Sequence, residues 1–183
     1  MKKRFKMKRL AIDMDNVMAD ITTALLDSHE AETGIRLSVE DIHGQNEGAA
    51  FPNLKNWLNT KHYFLNLPVI TDSQRVIQQL MTKYDVFIVS AATEFPLSLT
   101  DKMYWLDKHF PFIGWQRVCL CGSKTIVKAD ILIDDHFKNL DYFDGKTFLY
   151  TATHNIFSDT GRHQRVNSWL EIEEIFDEGL DFQ

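Results

Sequence analysis

Two short apolar runs in this 183-residue chain end abruptly in paired carboxylates. Arg9-Leu10-Ala11-Ile12 leads into Asp13-Met14-Asp15, and far downstream Ala129-Asp130-Ile131-Leu132-Ile133 leads into Asp134-Asp135. An Asp-x-Asp alone says little: with 17 Asp in 183 residues, about 1.6 such pairs arise by chance, the usual weakness of short motifs. Two further apolar runs carry complementary groups at their ends. Tyr84 to Val89 ends in Ser90-Ala91-Ala92-Thr93, and Arg117 to Cys121 ends in Gly122-Ser123-Lys124. The order along the chain is acid pair, hydroxyl, lysine, acid pair.

Four carboxylates brought to one place repel one another unless a cation holds them. Asp13 and Asp15, two apart on an extended strand end, can face the same side, one toward a metal-bound electrophile and the other toward a leaving group. A carboxylate can attack phosphorus to give an aspartyl-phosphate that water then resolves. Because the phosphoryl group is itself anionic, such an attack needs compensating charge. Mg²⁺ bridging carboxylate and phosphate, Lys124, and Ser90 with nearby N–H groups would supply it. Asp135, with Asp134 beside it, would complete the metal's shell or orient its waters and the lysine. Oxygen-only ligation favours Mg²⁺ over zinc.

The elements that must position these groups follow an alternating pattern. A helix is expected over 19–33, closed by Gly34, and another through Met81 with Asp72 as N-cap. A helix over about 97–110, a helix or loop over 123–128, a strand over 146–151 and a last helix from Ser168 with Glu171 as capping-box partner complete the series. Strands alternating with helices imply an α/β fold with a parallel sheet and right-handed crossovers. Ligands bind beyond the carboxyl ends of such strands, where all four polar clusters lie. The irregular stretch from Ile35 to Thr71 carries Gly44, Gly48 and Pro52, and its aromatics Phe51, Trp57, Tyr63 and Phe64 suit packing or substrate contact.

Composition narrows the classes. At 44% hydrophobic the chain can bury one full core and a modest insertion. A formal charge of −6 argues against a nucleic-acid polymer as partner. The basic start, Lys2 to Arg9, lacks a signal-peptide apolar stretch and reads as a solvated tail. No apolar run reaches membrane-spanning length, so a soluble, cytoplasmic protein is expected. Cys119 and Cys121, two apart on a strand, read as buried thiols rather than a disulfide or half a zinc site. His154 and Asn155 read as a turn or as part of the site lining.

Taken together, Asp13 to Asp20, Ser90, Lys124 and Asp134-Asp135 resemble the four motifs of haloacid dehalogenase-like (HAD) phosphatases. The ten-residue step from Lys124 to Asp134, Tyr104-Trp105-Leu106 and Thr151-Ala152-Thr153-His154-Asn155 are similar to the 5′(3′)-deoxyribonucleotidases among them. The resemblance implies a Rossmann-like core formed by residues 1–20 and 72–183, with a small, mostly helical cap at 21–71. It implies that Asp13 is the nucleophile and Asp15 the acid/base, with Mg²⁺ on Asp13, the carbonyl of Asp15 and Asp135. Ser90, the N–H of Ala91 and Lys124 would hold phosphate and Asp134 would support them, while the cap aromatics suit ordinary packing more than stacking on a base. The activity implied is hydrolysis of a deoxyribonucleoside monophosphate. A phosphatase for another small ester, such as a sugar phosphate, and a non-catalytic phosphate-binding module are the alternatives. Three positions depart from the family's habit: Asn16 stands where Gly is frequent, Ile21 where an aromatic stacks on the base, and His136 where a basic residue follows the acid pair.

Overall fold

A computed structural model describes residues 7–180. The basic stretch at 2–6 lies outside them. The sheet has six strands: β1 (Arg9–Ile12), β2 (Asp85–Ser90), β3 (Val118–Leu120), β4 (Ile131–Asp134), β5 (Lys146–Tyr150) and β6 (Gln164–Val166). Their order is β3-β2-β1-β4-β5-β6 and every pairing is parallel. The order reverses at β1, so the crevice at its carboxyl end is a topological switch point. Ile12 is in register with Ile88 on one side and Ile133 on the other, and the Asp13 N–H continues the ladder to the Ile133 carbonyl at 2.9 Å.

Strand alternation sorts the core onto two faces. Leu10, Ile12, Val86, Ile88, Ile131, Ile133, Phe148 and Tyr150 join the larger apolar cluster, while Ala11, Val89, Leu132 and Leu149 join a smaller one with Leu140 and Phe143. Helix α1 (Ile21–Thr33) starts at Asp20, whose carboxylate accepts from the Thr23 N–H at 2.9 Å, and ends at left-handed Gly34. Ala19 and Asp20 thus precede the helix rather than begin it. Ala19 instead bridges to Val69. Short helices α2 (Glu47–Ala50) and α3 (Leu54–Leu58) follow, with single 3₁₀ turns around them. Ile42, Phe51, Leu58, Phe64 and Leu67 from this region belong to the same apolar cluster as the strands.

Helix α4 (Ser73–Leu80) does begin after Asp72, but that residue does not cap it. With φ +64°, outside the extended conformation that aims an N-cap side chain at the helix N–H groups, its carboxylate lies 3.8 Å from Arg75 Nε instead. Helix α5 (Ser98–His109) and a one-turn 3₁₀ helix (Lys124–Ile126) fall within the expected stretches. The sequence reading did not anticipate α6 (Phe137–Leu140) or the edge strand β6. Both are too short to show a period, and β6 is exposed at Gln164 and buried only at Val166. Cys119 and Cys121 are free and half-buried rather than buried.

The final helix, α7 (Trp169–Glu178), is capped by Ser168, whose side chain accepts from the Glu171 N–H, while the Glu171 carboxylate takes the Asn167 N–H. Its first residue ties the C-terminal helix to the loop after β1: fully buried Trp169 donates Nε1–H to the Val17 carbonyl at 2.7 Å. Trp169→Phe keeps the aromatic packing and leaves that carbonyl unpaired. A buried acceptor without a partner costs about 1–3 kcal/mol, so a lower melting temperature in thermal unfolding is the expected result.

Candidate active site

The turn after β1 carries Asp13 and Asp15 into the crevice. Both Met18 and Ala19 donate their N–H groups to the Met14 carbonyl, and the Asn16 N–H donates to Ala19. This tight path puts Asn16 at φ +56°, a left-handed conformation that Asn tolerates better than most residues. An Asn at the position where the family often has Gly is therefore accommodated. Its side chain adds a function Gly lacks: Nδ2 donates to Asp135 Oδ2 at 3.2 Å, and Oδ1 accepts from Thr22 Oγ1 at 2.8 Å.

Asp13, Asp134 and Asp135 are buried and offer carboxylate oxygens within 4.8 Å of one another. Lys124, also buried, donates from Nζ to Asp13 and, at 2.6 Å, to Asp134 Oδ2. Burial alone would depress the Lys124 pKa; the charges of Asp13 and Asp134 outweigh it and raise it. Burial raises the pKa of Asp13, although Lys124 pulls the other way. Asp135 is pushed well above the carboxylate range, first by burial and then by the charges of Asp13 and Asp134. One lysine thus leaves the cluster with negative charge to spare.

The hydrogen bonds divide the acid pair after β4. Asp134 is fully engaged, accepting from Lys124, from the His136 N–H at 2.9 Å and from Asn139 Nδ2 at 2.9 and 3.1 Å. Asp135 Oδ1 is buried with no hydrogen-bond partner among the described residues. An unpartnered buried oxygen beside a second carboxylate is a donor set that suits a hard divalent cation.

Ser90, at the end of β2, is buried, and its hydroxyl accepts from Lys102 Nζ at 2.9 Å. Lys102, on α5, also donates to Asp15. Sequence reasoning passed over this lysine. The available signal was a lysine at helical spacing from Ser98, Trp105 and Leu106, which with Asp101 are the other buried residues of α5, where an apolar residue is expected.

A cavity of about 210 Å³ opens over these groups. Asp13, Asp15, Ser90, Ala91, Lys102, Lys124 and Asp135 line its polar end, and Ile21, Leu25, Leu54, Leu58 and Phe95 form an apolar wall. Phe51, Trp57, Tyr63 and Phe64 do not line it: of the two readings, packing and substrate contact, they follow packing. Phe51 packs on Trp57 and His29, Tyr63 meets Ser28, and Phe64 lies under Lys102 and beside Phe95. Phe51 and Phe64 are buried and Trp57 and Tyr63 half-buried in these contacts, and aliphatic residues from α1 and α3 take the wall instead.

His154 and Asn155 lie in a turn and do not line the cavity, but they brace it from behind through the Asp135 backbone. Asn155 donates to the Asp135 carbonyl at 2.8 Å and to Tyr150, and His154 Nε2 meets the same Asp135 carbonyl at 2.9 Å. His154 Nδ1 lies 3.0 Å from Glu47 of α2. Burial opposes charge on both partners of this pair, yet their contact raises the His154 pKa and holds Glu47 down to about 2. His136 stacks on His154 at 4.2 Å with planes 11° apart and is pushed down to about 4 by burial and its charged neighbour. Both His154 ring nitrogens are engaged, Nε2 by the Asp135 carbonyl and Nδ1 by Glu47, so Glu47, His136 and His154 form an ion-pair tie better than a metal cage.

Known proteins resemble this chain in sequence family and in fold. Residues 6–179 match the family model described as 5′ nucleotidase, deoxy (pyrimidine), cytosolic type C protein. A Bacillus subtilis (strain 168) protein named 5′(3′)-deoxyribonucleotidase is 40% identical over 175 residues, covering 91% of this chain and 96% of the relative. Among solved structures, a HAD family hydrolase from Deinococcus radiodurans with bound phosphate and sodium aligns with a TM-score of 0.61 at 12% identity, covering 91% of this chain and 93% of that one. A Bacillus subtilis HAD-type protein bound to magnesium aligns with a TM-score of 0.58 at 13% identity, covering 94% and 99%. The solved structures share the fold; the family match spans nearly the whole chain, and the chain belongs to the cytosolic type C 5′ nucleotidase (deoxy, pyrimidine) family within the HAD fold.

Proposed function

We propose that this chain hydrolyses deoxyribonucleoside 5′(3′)-monophosphates to nucleoside and phosphate. The observation that carries the reading is Lys124 held between Asp13 and Asp134 at the floor of the cavity: a nucleophile, a cation for the phosphoryl oxygens and a fixed counter-charge meet at one sheet edge. The Bacillus subtilis relative carries the deoxyribonucleotidase name, and the apolar wall supports a nucleobase as the other end of the substrate better than it supports a sugar phosphate.

In this reading Asp13 attacks phosphorus, the bond to the nucleoside oxygen breaks, and Asp15 delivers its proton to that oxygen. Asp15 then takes a proton from water as the water attacks the aspartyl-phosphate, releasing phosphate and restoring Asp13. Lys124 and the Ser90 hydroxyl, with the backbone of Ala91, hold the phosphoryl oxygens, and Asp134 keeps Lys124 aimed at them. Mg²⁺, held by Asp13, the Asp15 carbonyl and Asp135, would neutralise charge on the phosphoryl group. Residues 21–71 serve as the cap, with Ile21, Leu25, Leu54 and Leu58 its substrate-facing side chains and water exclusion its contribution.

Two outcomes are expected. Asp13→Asn, which removes the nucleophile at nearly constant shape, abolishes phosphate release from dUMP and dTMP; a variant that retains most of the rate rules out the aspartyl-phosphate route. Chelation with EDTA stops turnover and added Mg²⁺ restores it, whereas undiminished release in EDTA rules out the metal. Parallel assays with UMP and sugar phosphates test the substrate class, since preferential turnover of sugar phosphates would leave the chemistry and remove the nucleotide.

A further inference from the structure

Lys102 has no part in the reaction as described above, yet its surroundings are those of the site. Its side chain is 2% exposed. An ammonium taken out of water must recover its hydration from partners, and a buried ion pair is seldom retained for stability alone, since apolar residues of like volume do as well or better. The polar partners of this one are Asp15 Oδ2 and Ser90 Oγ, the second at 2.9 Å. The ring of Phe64 lies beneath it, with the nitrogen 4.9 Å from the centroid, a cation–π contact. Both polar partners are thus groups already placed in the chemistry, contributed by the ends of β1 and β2.

The helix that carries Lys102 is itself pinned. One turn along α5, buried Trp105 donates Nε1–H to the Leu67 carbonyl at 2.8 Å, and the neighbouring Asp101 meets His62 at 3.3 Å. Phe64 and Leu67 belong to the segment that leads back from the insertion to the core. The ammonium therefore has a fixed origin, and the Asp15 side chain, 30% exposed toward the cavity, is the freer partner. A carboxylate that must meet a leaving oxygen within hydrogen-bond reach gains from such a tether, because misplacement of about 1 Å costs on the order of 100-fold in rate.

We infer that Lys102 is a positioning residue for Asp15, setting the orientation of the acid/base carboxylate relative to the phosphate held by Ser90. The inference rests on the phosphomonoesterase reading of the site. It makes Lys102 distinct from Lys124: one lysine orders the leaving-group side, and the other faces the nucleophile.

The test compares wild type with Lys102→Met on two esters, the nucleoside monophosphate that wild type cleaves fastest and p-nitrophenyl phosphate, whose phenolate departs without a proton. First-turnover rates by rapid quench isolate P–O cleavage from later hydrolysis. The expected result is a fall on the order of 100-fold for the nucleotide, the scale of one general acid, with a much smaller fall for p-nitrophenol release and partial recovery in Lys102→Arg. The Ser90 contact is read separately, as a KM rise common to both esters. Equal losses in first-turnover rate on the two esters, or an unchanged nucleotide rate, would overturn the inference. Should Lys102→Met fail to fold, Lys102→Gln takes its place. If wild type prefers a different alkyl phosphate, that ester replaces the nucleotide; the substrate proposal then falls while the ratio between leaving groups still judges Lys102. A crystal structure of the variant gives a readout independent of turnover, and Asp15 unmoved in it would also overturn the inference.

Discussion

The site depends on buried negative charge that the fold gathers and only partly neutralises. Asp13, Asp134 and Asp135 are buried side by side, and Lys124 reaches two of the three. Desolvation raises the pKa of Asp13 and, more strongly, of Asp135. Such a cluster persists only where surrounding structure enforces it, because each carboxylate alone would sooner be in water. The unmet charge is also the source of function, since it makes the pocket receptive to a cation and, through that cation, to a phosphate that four bare acids would repel.

Much of the surrounding structure serves to hold the loops that enforce this crowding. The turn after β1 is closed by its own carbonyls, by Asn16 reaching Asp135, and from the far end of the chain by Trp169 on Val17. The loop after β4 is held by Asn139 on Asp134 and by His154 and Asn155 on the Asp135 carbonyl. Glu47 extends that support into the insertion through His154. The departures from the family's habit fit this scheme: Asn16 supplies a strut where Gly has no side chain, and His136 supplies a stacked ring where a basic residue would add charge.

The insertion contributes a surface of a different character. Its aromatic residues pack within it and, through Phe64, against the core, while Ile21, Leu25, Leu54 and Leu58 face the cavity with Phe95 of the core. Aliphatic walls accept a flat ring without imposing the stacking geometry of an aromatic partner. In the proposed reading this wall brings shape and exclusion of water to recognition, with Phe95 its one aromatic side chain beside four aliphatic ones.

Five of the six strands, their parallel arrangement and the four polar strand ends were legible in the sequence because they rest on local patterns: an apolar run, a period of two or 3.6, and a polar residue where the run stops. Asp13, Asp15, Ser90, Lys124 and the Asp134-Asp135 pair could be located that way, since parallel strands must deliver their carboxyl ends to one edge. Pairwise distances across the chain were not legible. Lys102 stands 87 residues from Asp15 and Trp169 stands 152 from Val17, and no local period records such meetings. The same holds for the aromatics of the insertion, whose residue types suit a core and a binding wall equally. Residue chemistry and local pattern thus determined which groups could act; only the packing of α5, α7 and the insertion against the sheet decided which of them touch, because burial and contact belong to the folded surface rather than to position along the chain.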